Sequence, residues 1–217
     1  MVRYHIKIAD VDLPKRQESH PLLKLGLIVG STRPNRFAER AAAWLLEGAA
    51  ERADFELEVL DLRDADLPFL DESIPPAMLG GNYSSPRANA WRHRVGAYDG
   101  YIATVAEYNH GPTAVLKNAF DSAFLEWQRK PIGFAGYGNV GAARAIEQLR
   151  GITVELQMAP IRHEVNIGLE PFIAVLNNDK TLNDYAYLIQ ARTALFDNLV
   201  WWACALKTAR NKLRVVA

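Results

Sequence analysis

The chain contains a single cysteine, Cys204, so no disulfide can close within it and a reducing compartment is expected. Set on an apolar helix among Trp201, Trp202 and Ala203, that thiol reads as buried and inert rather than nucleophilic. No apolar run approaches the roughly 18 residues that a membrane span requires. LVWWACAL (199–206) is the most apolar late stretch and falls well short. The opening segment, MVRYHIKIADVDLPKRQESH, is polar and mixed in charge and lacks the apolar core of a secretory signal. Neither sign of charge is in excess: Lys+Arg and Asp+Glu are 25 each. That balance removes the electrostatic case for a nucleic-acid partner and permits self-association. No G-x-S-x-G occurs, so a serine hydrolase has no support. The five histidines are scattered, and His163-Glu164 lacks the second histidine of H-E-x-x-H, so no metal site is expected. A soluble, cytoplasmic protein is the expectation, with no membrane or nucleic-acid partner.

What is present is ordinary globular material: 217 residues, 49% hydrophobic, enough for one sizeable core. Residues 1–21 show no firm period and read as an N-terminal extension. The rest, 22–217, reads as one domain in which short apolar runs alternate with helical spacing. KLGLIVG (24–30) is a buried strand and RFAERAAAWLLEGAAER (36–52) a helix. FELEVLDL (55–62) is a strand with one more exposed face. Residues 64–85, with Leu-Pro, Pro-Pro and Gly-Gly, form a long loop. A helix over 86–97 precedes GYIATVAEY (100–108), the most strand-like run. Pro112 sits where a first-turn proline belongs, ahead of TAVLKNAFDSAFLEW. PIGFA (131–135) is the fourth strand, 142–150 the fourth helix, and ITVELQMAP (152–160) the fifth strand. One long amphipathic helix covers 181–210, with a solvated basic end at Lys207, Arg210, Lys212 and Arg214. Strands alternating with helices imply a parallel sheet covered on both faces.

Two glycine loops make competing claims. GYGNVG (136–141) fits the dinucleotide fingerprint G-x-G-x-x-G between a strand and a helix. It comes after the fourth strand rather than the first, and the nearest acidic candidate, Glu155, lies inside the next strand instead of at its end. The match is local. GSTRPNR (30–36), after the first strand, offers two hydroxyls, two guanidinium groups, an amide and a helix start. Such a dense donor set suits a terminal phosphate monoester better than a pyrophosphate. After the third strand, AEYNHGPTAVLKN places Tyr108, Asn109 and His110 at the strand's carboxyl end, where a planar heteroaromatic ring could find a wall and fixed polar groups. Each loop alone also reads as a capped turn. Three at one sheet edge would line a common crevice.

GSTRPNR, AEYNHGPTAVLKNAFD and PIGFAGYGNVGAARAIEQLR together resemble the NAD(P)H-dependent FMN reductase family, the flavodoxin-like group that includes chromate and azo reductases. The resemblance runs from about Leu23 to Ile167. It implies an α/β, flavodoxin-like three-layer sandwich, with a five-stranded parallel sheet of order 2-1-3-4-5 and helices on both faces. It further implies FMN at the switch point of the sheet. By this similarity Ser31, Arg33, Arg36 and Phe37 would hold the phosphate, Phe37 through its backbone. Glu107, Tyr108, Asn109 and His110 would hold the ring, and Tyr137, Gly138, Asn139 and Gly141 would cover its other side. GYGNVG would then be glycine-rich to let backbone approach a flat ring.

The implied activity passes hydride from NAD(P)H through the flavin to a small acceptor: a quinone, azo compound, chromate, free flavin or ferric complex. The cofactor carries that chemistry, so no catalytic side chain is named. The family implies a homodimer or homotetramer, with the 64–85 loop and the Trp201–Trp202 region as candidate contact surfaces; plain intrachain core is the favoured reading of those tryptophans. The alternative is a non-enzymatic flavodoxin-type electron carrier or redox-regulated binding module, which the neutral charge balance disfavours. A dinucleotide-binding enzyme built on GYGNVG is the third reading.

Overall fold

A computed structural model describes residues 22–215; the extension at 1–21 and residues 216–217 lie outside the described residues. The described residues begin with β1 (Leu23–Val29), α1 (Ala38–Ala50), β2 (Phe55–Asp61), a one-turn α2 (Leu62–Ala65) and α3 (Pro86–Gly96). Next come β3 (Gly100–Tyr108), a two-residue β4 (Gly111–Pro112), α4 (Ala114–Asp121) and β5 (Pro131–Tyr137). α5 (Ala143–Glu155), β6 (Ala159–Pro160), β7 (Val165–Ile167), α6 (Leu169–Leu176) and α7 (Ala186–Val215) follow.

The sheet runs β2-β1-β3-β5-β6, with β7 pairing β5 further along the same edge and β4 pairing β3. All pairings in the main sheet are parallel; only β3–β4 is antiparallel. Taking β6 and β7 as two parts of one broken edge strand, this is the expected order 2-1-3-4-5.

The core follows the two-residue period of the strands. In β1, Leu23, Leu25, Leu27 and Val29 face one layer with Trp44 and Leu45 of α1 and Leu195 and Leu199 of α7. Ile28, Ala103, Val105, Ile132 and Phe134 face the other, against Trp91 of α3, Leu116 and Phe120 of α4 and Ile146 of α5. β2 is an edge strand: Phe55 and Leu60 are buried in opposite layers, while Glu56 and Glu58 are exposed. Among the described residues no helix is long and apolar enough to cross a membrane.

Several expectations are corrected. The run ITVELQMAP is not a strand: Ile152–Glu155 finish α5, and the edge of the sheet is made by Ala159–Pro160 and Val165–Ile167. Ile146, Leu149 and Thr153 recur at helical spacing on the buried face, and the Thr153 hydroxyl donates back to the Arg150 carbonyl at 3.1 Å. Gln157, at φ 58°, then turns the chain out of the helix. Pro112 is not in the first turn of α4; it pairs with Glu107, and Thr113 caps the helix by accepting from Leu116 N–H. The C-terminal helix starts at Ala186 rather than 181, because Thr181 and Asp184 form a capping box on a short 3-10 turn. α6 has no counterpart among the expected elements. Trp201 and Trp202 are not core: they are 64% and 39% exposed.

Candidate functional site

Parallel strands end together, so the segments after β1, β3 and β5 meet at one sheet edge, where the chain reverses its direction of strand addition. The first of these, residues 30–37, is pinned from below. Thr104 Oγ1 accepts from Gly30 N–H at 3.0 Å, and the Thr113 hydroxyl donates to the Gly30 carbonyl at 2.5 Å. Arg36 folds inward, its side chain 3% exposed, and donates twice to Asp61 and once to the Ser31 carbonyl at 2.5 Å. The Asp61 hydrogen bond, acting against burial, holds the guanidinium above its ordinary pKa. Burial pushes the Asp61 carboxyl up, but Arg36 and the Arg63 N–H outweigh it, and its pKa lies below the usual value.

Arg33 differs. Its side chain is exposed and makes no hydrogen bond or ion pair among the described residues. Nor does a side chain cap α1; in its first turn the Glu39 and Arg40 N–H groups donate to the Arg36 and Phe37 carbonyls at 3.4 and 2.9 Å. The Ser31 hydroxyl lies 3.2 Å from the Tyr108 hydroxyl and accepts from Arg33 N–H at 3.4 Å.

The second segment is a hairpin turn joining β3 to β4. Asn109 and His110 both take positive φ, 52° and 71°, as a tight hairpin requires. Gln148 of α5 donates to the His110 carbonyl at 2.8 Å. Glu107 turns toward α5, accepting from Arg144 and Ala145 N–H and pairing with the Arg144 side chain. The third segment begins at Tyr137, which is buried; burial is the main reason its phenol pKa is raised. Gly138 N–H donates to the Ile167 carbonyl at 3.1 Å, and Asn166 donates to the Gly141 carbonyl at 3.1 Å. A Cβ on Gly136 would meet the Gly141 carbonyl and sit 2.9 Å from Ala142 Cβ. One on Gly138 would meet nothing. The close approach at Gly136 is to the chain itself, and Gly138 is the glycine open to a ligand.

These parts enclose a cleft of about 200 Å³. Ser31, Arg33, Arg36, Phe37, Glu107, Tyr108, Tyr137 and Gly138 line it, together with Ala106 and Phe172. Asn109, His110 and Asn139 stand on the exposed rim beyond it, and Gly141 is buried beneath the rim. Phe172 carries no sequence signal, because α6 itself has none. Its ring lies 6.3 Å from Tyr137 at 8°, and Phe37 sits 5.1 Å from Tyr137 and 4.7 Å from Phe172, so three rings form one apolar wall. A larger open depression of about 620 Å³ between α1 and the α6–α7 connection brings together none of the expected residues.

A parallel α/β sheet with an anion-favouring loop and an aromatic wall at its switch point defines a flavodoxin-type ligand-binding protein. The family described as NADPH-dependent FMN reductase matches residues 23–171, and the chain belongs to it. As a member it is an oxidoreductase, with FMN as its cofactor and NAD(P)H as its co-substrate. An NAD(P)H-dependent FMN reductase of a Nectria species is 31% identical over 170 residues, covering 75% of this chain and 82% of that protein. One from Schizosaccharomyces pombe is 33% identical over 135 residues, covering 62% and 68%. Among solved structures, the flavoenzyme NAD(P)H:(acceptor) oxidoreductase FerB of Paracoccus denitrificans shares the fold. Its TM-score is 0.67 over 84% of this chain and 97% of that one, at 22% identity.

Proposed function

We propose that the protein reduces small electron acceptors at the cleft between β1, β3 and β5. The carrying observation is the free guanidinium of Arg33 beside the Ser31 hydroxyl and the uncapped start of α1, facing an aromatic wall. This donor set fits a phosphate monoester. The cleft volume of about 200 Å³ is below the roughly 300–1,000 Å³ of a site that encloses a whole ligand of this size. The phosphate end would fit within it, with the ring lying along the aromatic wall and over the rim.

Ser31, Arg33 and the Phe37 N–H would hold the phosphate, with Arg36 keeping their loop in shape through Asp61. Tyr108, Asn109 and His110 on one side, and Tyr137, Gly138, Asn139 and Gly141 on the other, would border the ring. FMN held there would supply the redox chemistry, by which the two electrons of a hydride from NAD(P)H reach an acceptor. The protein's part is to bind, orient and leave one ring face open, so donor and acceptor alternate at one place. The acceptor class is a small molecule: a quinone, azo compound, chromate, free flavin or ferric complex. Association into a homodimer or homotetramer would cover Phe69 and Met78, 76% and 73% exposed on the 64–85 segment, or Trp201. A reducing, cytoplasmic setting suits its single thiol.

The test is an absorbance spectrum of the purified protein before and after anaerobic NADPH, then NADH. Flavin bands that bleach with either nucleotide, and return on adding an acceptor, are expected. Bands that resist both nucleotides would favour an electron carrier, and a protein that takes up no FMN would overturn the proposal.

A further inference from the structure

α5 begins without a cap of its own. Ala142 precedes it at φ 59° and supplies no side-chain hydrogen bond. An uncapped helix start presents unsatisfied N–H groups and a partial positive charge. Here a residue from another strand answers both. Glu107 Oε2 accepts from Arg144 N–H at 3.2 Å and Ala145 N–H at 3.3 Å, and Oε1 accepts from Arg144 Nε at 2.5 Å. The carboxylate is 9% exposed. Burial pushes its pKa up, but the Arg144 side chain and the two backbone donors bring it below the ordinary value, as a resident anion requires.

Its place in the chain matters more than its energy. Glu107 is the last paired residue but one before the Asn109–His110 turn, bonded opposite Pro112. α5 begins directly after the Gly138–Gly141 segment and Ala142. One carboxylate therefore ties together the bases of both rim segments, and Gln148 of α5 adds a second tie at the His110 carbonyl.

We propose that Glu107 is a positioning residue: its carboxylate acts as the built-in anion at the start of α5 and fixes the gap between the two rim segments that border the flavin. This rests on the proposed site, and it also explains GYGNVG. The helix start that would meet a pyrophosphate in a dinucleotide-binding protein is already filled from within.

The test uses the full-length protein with Glu107→Ala, Glu107→Gln and Arg144→Ala, reading FMN affinity by fluorescence titration and thermal unfolding without FMN. Glu107→Ala should weaken FMN binding about tenfold or more and lower the midpoint of the FMN-free protein. Formate or acetate on the order of 100 mM, against chloride at equal ionic strength, should restore part of both by refilling the carboxylate site. Glu107→Gln, which keeps one acceptor oxygen, should retain more affinity than Glu107→Ala, with Arg144→Ala between wild type and Glu107→Ala. Wild-type FMN affinity in Glu107→Ala, or losses that formate and acetate do not reverse, would overturn the proposal. If Glu107→Ala does not fold, Glu107→Gln and Arg144→Ala decide: wild-type FMN affinity and thermal midpoint in both would overturn the proposal. A wild-type protein that binds no FMN would sink the proposed function, while the rescue of thermal stability would still judge the capping role.

Discussion

Asp61→Asn tests whether the phosphate loop is shaped by a buried ion pair. Arg36 is 3% exposed and Asp61 18%, and the two are joined by paired hydrogen bonds. Asparagine keeps the shape but removes the charge and turns an N–H toward the guanidinium. Breaking a fully buried pair costs roughly 3–5 kcal/mol. Glu39 offers Arg36 a second carboxylate at 3.1 Å, 54% exposed, so the expected loss is smaller, about 2–3 kcal/mol. For a chain of this size that lowers the midpoint of thermal unfolding by about 4–12 °C. FMN affinity should fall with it, since Ser31 and Arg33 lose the brace at the Ser31 carbonyl.

Acid provides the control. The folded pKa of Asp61 lies below its ordinary 3.8. A carboxyl depressed in this way contributes stability above its unfolded pKa and loses it as pH falls through the folded one. Wild type and Asp61→Asn should differ by a constant amount from about pH 8 to about pH 5, then converge below about pH 4. Differential scanning calorimetry across that range measures both. Midpoints within about 1 °C at neutral pH, or a gap that persists in acid, would refute the reasoning.

Arg33→Ala should weaken FMN binding about ten- to a hundredfold while shifting the thermal midpoint little, because its exposed guanidinium makes no hydrogen bond or ion pair among the described residues. An unaltered Kd would remove Arg33 from the site. Gly136→Ala forces a methyl onto the Gly141 carbonyl and should cost more than about 2 kcal/mol, whereas Gly138→Ala, open in space but at φ 119°, should cost about 1 kcal/mol. Equal losses in urea titration would contradict the packing described. His110→Gly relieves a left-handed residue and should raise the midpoint by about 2–4 °C; a lower midpoint would show that the imidazole stabilises the turn.

Where expectation and structure part, the reasons are local and physical. ITVE is β-branched and reads as strand, yet Thr153 satisfies its own hydroxyl inside the helix and completes a buried face begun at Ile146. Propensity yields there to packing against β3 and β5. Pro112 fits a helix start equally well, but pairing with Glu107 depends on the hairpin that Asn109 and His110 form. The family resemblance places Arg36 and Glu107 at the ligand. Within the chain they also bond Asp61 and the start of α5, 25 and 37 residues away, partners that cannot be identified from spacing. Phe172 is invisible for the same reason.

By itself, the sequence determined the alternation of strands and helices, the glycine and donor-rich loops, and their position after strands. These depend on period-two and period-3.6 patterning and on residues adjacent in the chain. The tertiary structure decided which charges are paired within the fold and which stand exposed. Arg33 and Arg36, three residues apart in one motif, have opposite fates because only Arg36 reaches Asp61 at the end of the neighbouring strand. Ion pairing and helix capping act through space over a few ångströms, and the packing of strands, loops and helices sets those distances.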